Sequence, residues 1–313
     1  MIAKWKIKAI VQKGISYLPN KEKINYWFQK YITNGVDLTD EYFGYKITHA
    51  KDHLQFFEKY SNSKLVESNA LELGTGWYPI IPIALFLNDI KLIHSLDLSD
   101  WMTRENLKKT CKKFIEWRND GKLQEFLRYI NEEKWKIIQS LAIDEKQDLD
   151  SMCQQIKLRR WIGDARNTHF HKNSIDLMCS NNTFEHIPKE ILKSILLEFI
   201  RIIKPNGVMS HFIDMSDHFA HFDHSINIYN FLRYSDQKWN LIDNSIQPQN
   251  RMRFIDYKEI YRKLNIPITH EEIRKGNIDE LKEISLDSKY EKYTLAHLAI
   301  SHGYIVSKIN KPT

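Results

Sequence analysis

Two glycines and two carboxylates in the first third of the chain have the types and spacing of a site for a nucleotide-like ligand. Glu72 lies in an apolar segment that predicts a strand, and Gly74 and Gly76 follow in the turn before an apolar helix. Glycine has no side chain, so the backbone of such a turn can pass close beneath a ligand. Asp97 ends the next predicted strand, where a carboxylate can accept hydrogen bonds from both hydroxyls of an adenosine ribose.

The details of this turn distinguish between two cofactors. The NAD fingerprint has a third glycine three residues after the second, and Pro79 occupies that position here. Glu72 would also repel a pyrophosphate, whereas it suits the ammonium of a methionine moiety beside a cationic sulfonium. The sequence therefore favours a methyltransferase over a nicotinamide enzyme. A non-catalytic cofactor-binding protein of the same fold stays open.

The elements that must position these residues follow from the apolar pattern. Strands are predicted at 70–73, 92–97, 175–180 and 208–213, with helices at 79–89 and 189–203 between them. A helix at 257–264 and strands near 266–270 and 293–306 are predicted to complete the sheet. This alternation predicts a doubly wound α/β fold, with a mostly parallel seven-stranded sheet and helices on both faces.

Three further segments extend this predicted fold. Residues 1–62 have helical spacing and predict an N-terminal helical cap on a main domain at 63–313. Residues 101–160 are more than a crossover needs, and their amphipathic pattern predicts a helical insertion after the second strand. Residues 215–254 are rich in His, Asp, Asn and aromatic residues and predict a substrate-side segment.

Five segments carry a resemblance to a known family. They are 71–79 (LELGTGWYP), 96–99 (LDLS), 163–165 (GDA), 174–188 (SIDLMCSNNTFEHIP) and 202–208 (IIKPNGV). In order and spacing they resemble the motifs of class I, Rossmann-like S-adenosylmethionine-dependent methyltransferases, over roughly residues 66–214. The chain departs from the family pattern at Tyr78 and Pro79, where a third glycine is common, and in the long insertion.

The resemblance implies that the cofactor is S-adenosyl-L-methionine. The first loop would line its methionine and ribose, the second loop its ribose and adenine, the third its adenine edge, and the loop after the fourth strand would face the transferring methyl. The predicted cofactor-binding residues are Glu72, Gly74, Thr75, Gly76, Trp77, Asp97, Leu98, Asp164, Ala165, Ser180, Asn181 and Asn182.

Methyl transfer to a hydroxyl also needs a group that accepts the proton. His218 and His221 follow the fifth strand, where ligands of such folds bind, and are the first candidates for this catalytic role. His186 follows the fourth strand and is the third candidate, although a histidine is common there in the family whatever the substrate. A solvated or loop-capping run is the alternative for the histidines at 218, 221 and 224, and no metal site is assigned to them.

Arg251 and Arg253 are predicted to bind the acceptor, because a guanidinium can fork onto a phosphate or a carboxylate. Salt bridges at the rim of the domain are the alternative for both residues.

The composition limits the acceptor and the partners. The net charge is +6, and the basic residues are scattered among 40 acidic ones, so a nucleic-acid surface is not indicated. We therefore expect O-methylation of a small-molecule or sugar-like acceptor. An RNA methyltransferase is the alternative, and it should show a basic stripe beside Asn181.

The location of the protein is expected to be cytoplasmic. The apolar run at 77–87 is too short to span a membrane, no signal peptide is evident, and the three cysteines are widely separated. Four lysines in the first 13 residues could rest on an anionic membrane surface, so peripheral membrane contact is a further expectation. The oligomeric state is not predicted.

Overall fold

The computed structural model describes residues 3–19 and 37–311. The strands in these ranges are β1 (Asn69–Leu73), β2 (Leu92–Asp97), β3 (Leu158–Ile162), β4 (Ile175–Asn181), β5 (Ile203–Asp214), β6 (His270–Arg274) and β7 (His302–Lys308). The helices in them are α1 (Lys4–Ile15), α2 (Asp40–Tyr60), α3 (Ile80–Leu87), α4 (Arg104–Asn119), α5 (Glu132–Ile143), α6 (Leu149–Gln155), α7 (Lys189–Ile202), α8 (Asp236–Ile242), α9 (Phe254–Lys263), α10 (Ile278–Lys282) and α11 (Leu295–Ala299).

Within the described residues the strands form one seven-stranded sheet in the order β3-β2-β1-β4-β5-β7-β6. The first five strands run parallel, and β7 is antiparallel to both β5 and β6. The order reverses between β1 and β4, and ligands of open α/β sheets bind beyond the carboxyl ends of the strands at such a point. The predicted doubly wound, mostly parallel sheet is confirmed.

The sheet is covered on both faces, and the alternation of side chains along each strand produces the two cores. Ala70 and Leu177 face the core that contains α2 to α6, whereas Leu71 and Met178 face the core that contains α7 and α9. Because both faces are buried, the central strands are apolar on both sides, as parallel strands usually are.

Helix α2 packs on the sheet and contributes to the core that it shares with α3 to α6. Thr39 accepts a hydrogen bond from the amide of Tyr42, which caps the helix, and acidic residues occupy its first turn. Phe43, Ile47 and Phe57 are fully buried in the same cluster as α3. The predicted boundary at residue 62 falls in the loop after α2, but the helix packs directly against the sheet. The part of the predicted cap at residues 20–36 lies outside the described residues.

Helix α1 packs elsewhere, through Trp5 and Ala9, against the segment that follows β5. Its apolar residues Ile7 and Ile10 are exposed beside lysines. Peripheral membrane contact through this helix stays a prediction. No helix in the described ranges combines the length and the apolar character needed to cross a bilayer.

The predicted insertion is helical as far as Gln155 and consists of α4, α5 and α6, but its last residues belong to β3, which begins at Leu158 and was not predicted. Its aromatic residues extend the core that α2 begins. The rings of Phe114 and Trp117 lie 4.9 and 4.8 Å from the ring of Phe43, both edge-on. Thr103 caps the start of α4 by accepting from the amide of Asn106.

The last third of the chain differs from the prediction. The strand expected near 266–270 is instead β6 at 270–274, a charged edge strand that lacks an apolar pattern. The segment 293–306 was expected to be a single strand. Its first part instead forms α11, whose first turn is capped by Thr294, and only its last part belongs to β7. The apolar pattern of this segment does not distinguish a helix from a strand, whereas the side-chain cap marks the start of a helix.

The side chain of Arg253 holds this last third together. It is fully buried, and its guanidinium donates to the carbonyl oxygens of Met215 (2.6 Å), Leu298 (2.7 Å) and Ile300 (2.5 Å). It thereby joins the segment after β5 to α11 and the start of β7.

We expect Arg253→Ala to lower the free energy of unfolding by about 3 kcal/mol or more, because it leaves buried carbonyls without donors and a cavity behind. Denaturant unfolding followed by circular dichroism measures this. Arg262→Ala is the matched control, since Arg262 is an exposed arginine on the following helix that pairs only with Glu259 in the described contacts. Equal midpoints for both variants would contradict the role of Arg253.

Candidate active site

The turn after β1 is fixed by its glycines and by the end of β2. Gly74 and Gly76 have φ angles of +80° and +71°, a region that residues with a side chain rarely adopt. The Gly76 amide donates to Oδ1 of Asp97 at 3.1 Å, and the Gly74 amide donates to the carbonyl of Leu96 at 2.9 Å. A Cβ on Gly74 would lie 2.5 Å from Oγ1 of Thr183, in the loop after β4. The two predicted motifs and the loop after β4 therefore meet at one point.

The carboxyl groups of Glu72 and Asp97, which lie at this turn, are buried. Burial raises the pKa of Glu72 to about 7, although the hydroxyl of Thr75 donates to it at 2.7 Å and opposes the shift. Burial also raises the pKa of Asp97 to about 6, against the hydrogen bonds from the amides of Gly76 and Thr75. Both carboxyls thus lie in an environment that favours a ligand carrying hydroxyl or ammonium donors.

Lys46 of α2 supplies a positive charge to the same site. Its Nζ lies 3.4 Å from the carbonyl oxygen of Asn181. Burial lowers the pKa of Lys46, while the charges of Glu72, Glu185 and Asp97 oppose that shift. One partly buried ammonium therefore lies near three carboxyls. No motif marks Lys46 in the sequence, because only the packing of α2 on the sheet brings it here.

The predicted adenine side lies at the ends of β2 and β3. Leu98 is exposed, and Ala165 is buried. Asp164 is half-exposed, and its carboxylate binds the guanidinium of Arg166, which holds the pKa of Asp164 below its usual range. The ring of Trp77 packs edge-on against Trp101 at 5.8 Å. The contacts of these residues with adenine stay predictions.

Three residues were predicted to face the transferring methyl group, but their side chains are directed to different parts of the structure. Oγ of Ser180 lies 2.8 Å from Nδ1 of His211, inside the core that contains α7. Oδ1 of Asn181 lies 3.0 Å from Nε2 of His53, on the α2 side. Asn182 has a φ of +52° and donates to the hydroxyl of Tyr45 at 3.1 Å. Of the three, only Asn182 is not buried, so it is the best placed to meet a ligand.

A buried carboxylate gathers histidines at the end of β5. Oδ2 of Asp214 lies 3.4 Å from Nε2 of His218 and 3.8 Å from Nε2 of His221, and Oδ1 lies 3.3 Å from Nε2 of His302. Burial alone would raise the pKa of Asp214, but the three imidazoles hold it well below its usual range. The hydrogen bond to Asp214 in turn raises the pKa of His221.

The turn after β4 brings Glu185 and His186 to the same cluster. The ring of His186 lies 5.0 Å from that of His218. Burial lowers the pKa of His186 to about 4, and burial and the charge of Asp214 raise the pKa of Glu185 well above its usual range. One potential ligand atom each from Glu185, His186 and His218 lie within 4.8 Å of one another.

All three predicted catalytic histidines are thus in one cluster with the carboxyls of Asp214 and Glu185. Asp214 ends β5 and Glu185 follows β4, so both lie at the carboxyl ends of strands, where sites of such folds form. His302 arrives on an antiparallel strand, and no sequence signal marked it.

Arg251 and Arg253 were predicted to bind the acceptor through their guanidinium groups. In the structure both guanidinium groups instead bind other parts of the same chain. The guanidinium of Arg251 donates to the carbonyls of Phe231 (3.0 Å) and Tyr234 (2.6 Å) and pairs with Asp236. Arg253 is held by three carbonyls, as described above. Because both side chains are buried and paired, a substrate anion would have to replace bonds that the fold already uses.

The strand order, the glycine turn and the buried Asp97 together form the arrangement at which Rossmann-like folds bind adenosine-containing ligands. A family model described as a methyltransferase domain matches residues 125–210, from the loop between α4 and α5 into β5. This match agrees with the resemblance to class I S-adenosylmethionine-dependent methyltransferases that the sequence motifs carry. A search of curated proteins found no match.

Two solved structures illustrate what the chain is similar to. One is the Haemonchus contortus phosphoethanolamine N-methyltransferase 2 with S-adenosylmethionine, at 14% identity and a TM-score of 0.44, covering 83% of this chain. The chain spans about half of that protein, 52%. The other is the Streptomyces coelicolor geranyl diphosphate C-methyltransferase with Mg²⁺, geranyl diphosphate and S-adenosylhomocysteine, at 10% identity and a TM-score of 0.45. That match covers 82% of this chain and 78% of the other.

We expect Asp97→Ala to weaken the binding of S-adenosylhomocysteine by about 2 to 4 kcal/mol, because it removes the acceptor for two ribose hydroxyls and frees the Gly76 amide. Calorimetry on the purified protein measures the dissociation constant. Asp100→Ala is the control, since Asp100 lies nearby but binds Arg160 at the surface. An unchanged dissociation constant for Asp97→Ala would show that another residue binds the ribose.

The affinity for S-adenosylhomocysteine should increase as the pH rises from about 5 to 7.5. Asp97 and Glu72 have pKa values of about 6 and 7 in the empty site, and the ligand's hydroxyl and ammonium donors bind their ionised forms better. Asp97→Asn should remove the part of this increase in affinity that occurs at the lower pH values. The contribution of these two carboxyls to the stability of the ligand-free protein should show the opposite trend. Their folded-state pKa values lie above the unfolded ones, so this contribution falls from about pH 4 to 7, and the comparison of the parent with Asp97→Asn isolates the part due to Asp97. A dissociation constant that does not vary with pH would contradict both assignments.

Proposed function

We propose that this methyltransferase acts on a hydroxyl oxygen of a small-molecule or sugar-like acceptor bound at the carboxyl ends of β4 and β5. The observation that carries the proposal is the pairing of Asp214 with His218 and His221. An imidazole beside a buried carboxylate is a proton acceptor whose charged form the carboxylate stabilises.

The cluster is connected to the cofactor turn through short contacts. The amide of Asn182 donates to the carbonyl of Phe212 at 3.2 Å, which joins the loop after β4 to the end of β5. Thr183 in the same loop packs against Gly74 and donates to the carbonyl of Leu73 at 3.2 Å. An acceptor held between Asn182 and Asp214 would therefore lie beside the place where the sulfonium is expected.

The reaction itself is an in-line displacement. The acceptor oxygen forms a bond to the methyl carbon as the carbon–sulfur bond breaks. The electron pair of the broken bond remains on sulfur, which becomes a neutral thioether. The hydroxyl proton passes to His218 or His221, and Asp214 orients the imidazole and stabilises the imidazolium. The enzyme otherwise contributes position, which is the main requirement of a displacement on an already activated methyl.

The charge around the loop supports a small acceptor over RNA. The ionisable groups that flank it include Glu72, Asp97, Glu185 and Asp214, with Lys46 among them. A polyanion gains affinity from neutralising its phosphates with lysine and arginine, and these carboxylates oppose that. The basic stripe expected of an RNA methyltransferase would have to lie elsewhere.

We expect His218→Ala or His221→Ala, whichever removes the proton acceptor, to lower kcat by about 100- to 10,000-fold while the affinity for S-adenosylhomocysteine stays nearly unchanged. Incubation with cofactor labelled in the methyl group and a metabolite extract, followed by mass spectrometry, identifies the product and gives the rate. His224→Ala is the control, because His224 is an exposed histidine of the same segment.

Two outcomes would contradict the proposal. A product methylated on nitrogen or carbon would exclude O-methylation, and full activity in both alanine variants would exclude the Asp214 histidines and move the search to His186.

A further inference from the structure

Glu185 is a buried carboxyl without a completed hydrogen bond. Its side chain is 3% exposed, and neither of its carboxyl oxygens has a hydrogen-bond partner among the described residues. The backbone amides of Glu185 and Asp214 lie nearby without completing one. Burying a carboxyl in this way is costly unless a proton or a cation compensates for it. The feature therefore points to a bound positive species.

The turn that carries Glu185 is held firmly in place. The side-chain amide of Asn250 donates to the carbonyls of Phe184 (2.7 Å) and Ile187 (2.8 Å), and the backbone amide of Asn250 donates to the carbonyl of Glu185 (2.9 Å). Rotation of the turn cannot bring the carboxyl to solvent without breaking these bonds. Glu185 is thus fixed in its unpaired position by the fold.

The neighbouring imidazole of His186 is prepared to bind a metal. Its Nδ1 lies 2.7 Å from the carbonyl oxygen of Pro248, and because a carbonyl only accepts, Nδ1 carries the hydrogen. The lone pair of the neutral ring is then on Nε2, which is the arrangement of metal-binding histidines whose other nitrogen donates to the backbone.

We propose that Glu185, His186 and His218 bind a divalent transition-metal ion. Two imidazoles and one carboxylate suit Zn²⁺, Fe²⁺ or Co²⁺ better than Mg²⁺ or Ca²⁺, which prefer oxygen ligands alone. Asp214, 3.4 Å from Nε2 of His218, adds a second negative charge, while Lys46 contributes a positive charge on the cofactor side. The two carboxylates would balance a divalent ion.

This inference deepens the proposed function and, for its role in catalysis, rests on it. Three protein ligands leave coordination positions open for an acceptor oxygen, and a bound cation lowers the pKa of a hydroxyl that it binds. With His218 engaged as a ligand, His221 is left to receive the hydroxyl proton. The structure thus divides the roles of two histidines that the sequence could not distinguish, and it assigns a metal where the sequence assigned none.

Metal binding is tested on the full chain without cofactor or acceptor. Protein treated with EDTA and dialysed is titrated with Co²⁺, followed by visible absorption, and with Zn²⁺, followed by calorimetry. We expect one equivalent to bind. Glu185→Gln, His186→Ala and His218→Ala should each weaken binding by more than about 100-fold, because losing even a residue that only orients a ligand costs about 10- to 100-fold. His224→Ala is the control and should bind as the parent does.

Each variant is also checked for S-adenosylhomocysteine binding, which reports an intact fold. A variant that fails this check is replaced by His186→Gln or His218→Gln, which keep more of the side-chain volume. Absence of saturable binding in the parent protein overturns the proposal. Binding that none of the three substitutions weakens does so as well, because the ion then lies elsewhere. A nitrogen-methylated or carbon-methylated product would refute the proposed function while leaving the metal site standing.

Discussion

The hydrogen bond from the Gly76 amide to Asp97 is the interaction on which the rest of the predicted cofactor site depends. It fixes the turn after β1 against the end of β2 and so sets the distance between two motifs that lie apart in the sequence. The turn can take this path because both glycines have positive φ angles. The absence of a side chain at Gly74 then lets the loop after β4 pass directly over it, which brings the proposed acceptor side next to the predicted cofactor side.

Charge is the second constraint on this region. Glu72, Asp97, Glu185 and Asp214 lie at the carboxyl ends of neighbouring strands, and the described structure compensates for them unequally. Asp214 has three imidazoles, whereas Glu185 has no completed hydrogen bond and depends on nearby charges. A site with an excess of buried carboxyls is arranged to receive positive species, and both a sulfonium cofactor and a metal ion carry positive charge. One electrostatic feature thus supports cofactor binding and the proposed metal centre alike.

The layers around the sheet explain how these charges are kept from solvent. Helix α2 lies over the central strands and contributes Lys46 and Tyr45, and the insertion packs Phe114 and Trp117 against Phe43 of that helix. The insertion therefore acts on the site indirectly, by supporting the helix that covers it. At the other end, Arg253 secures the segment that carries the histidines through three carbonyls. The glycine-turn side and the histidine side of the predicted site are supported by separate parts of the chain.

The sequence by itself determined the features that depend on local chemistry. The apolar strands β1, β2, β4 and β5, the glycine turn and Asp97 follow from the pattern of residues along the chain, whereas β3, with two arginines in five residues, gave no such pattern. The tertiary structure alone decided the features that depend on contacts between distant residues. Lys46 meets the carbonyl of Asn181, 135 residues away, only because α2 packs on the sheet. Burial turned Arg251 and Arg253 from expected acceptor anchors into internal supports, since a guanidinium fork fits a backbone carbonyl as well as a phosphate. The charged edge strand β6 carried no apolar signal, so pairing with β7 was what defined it.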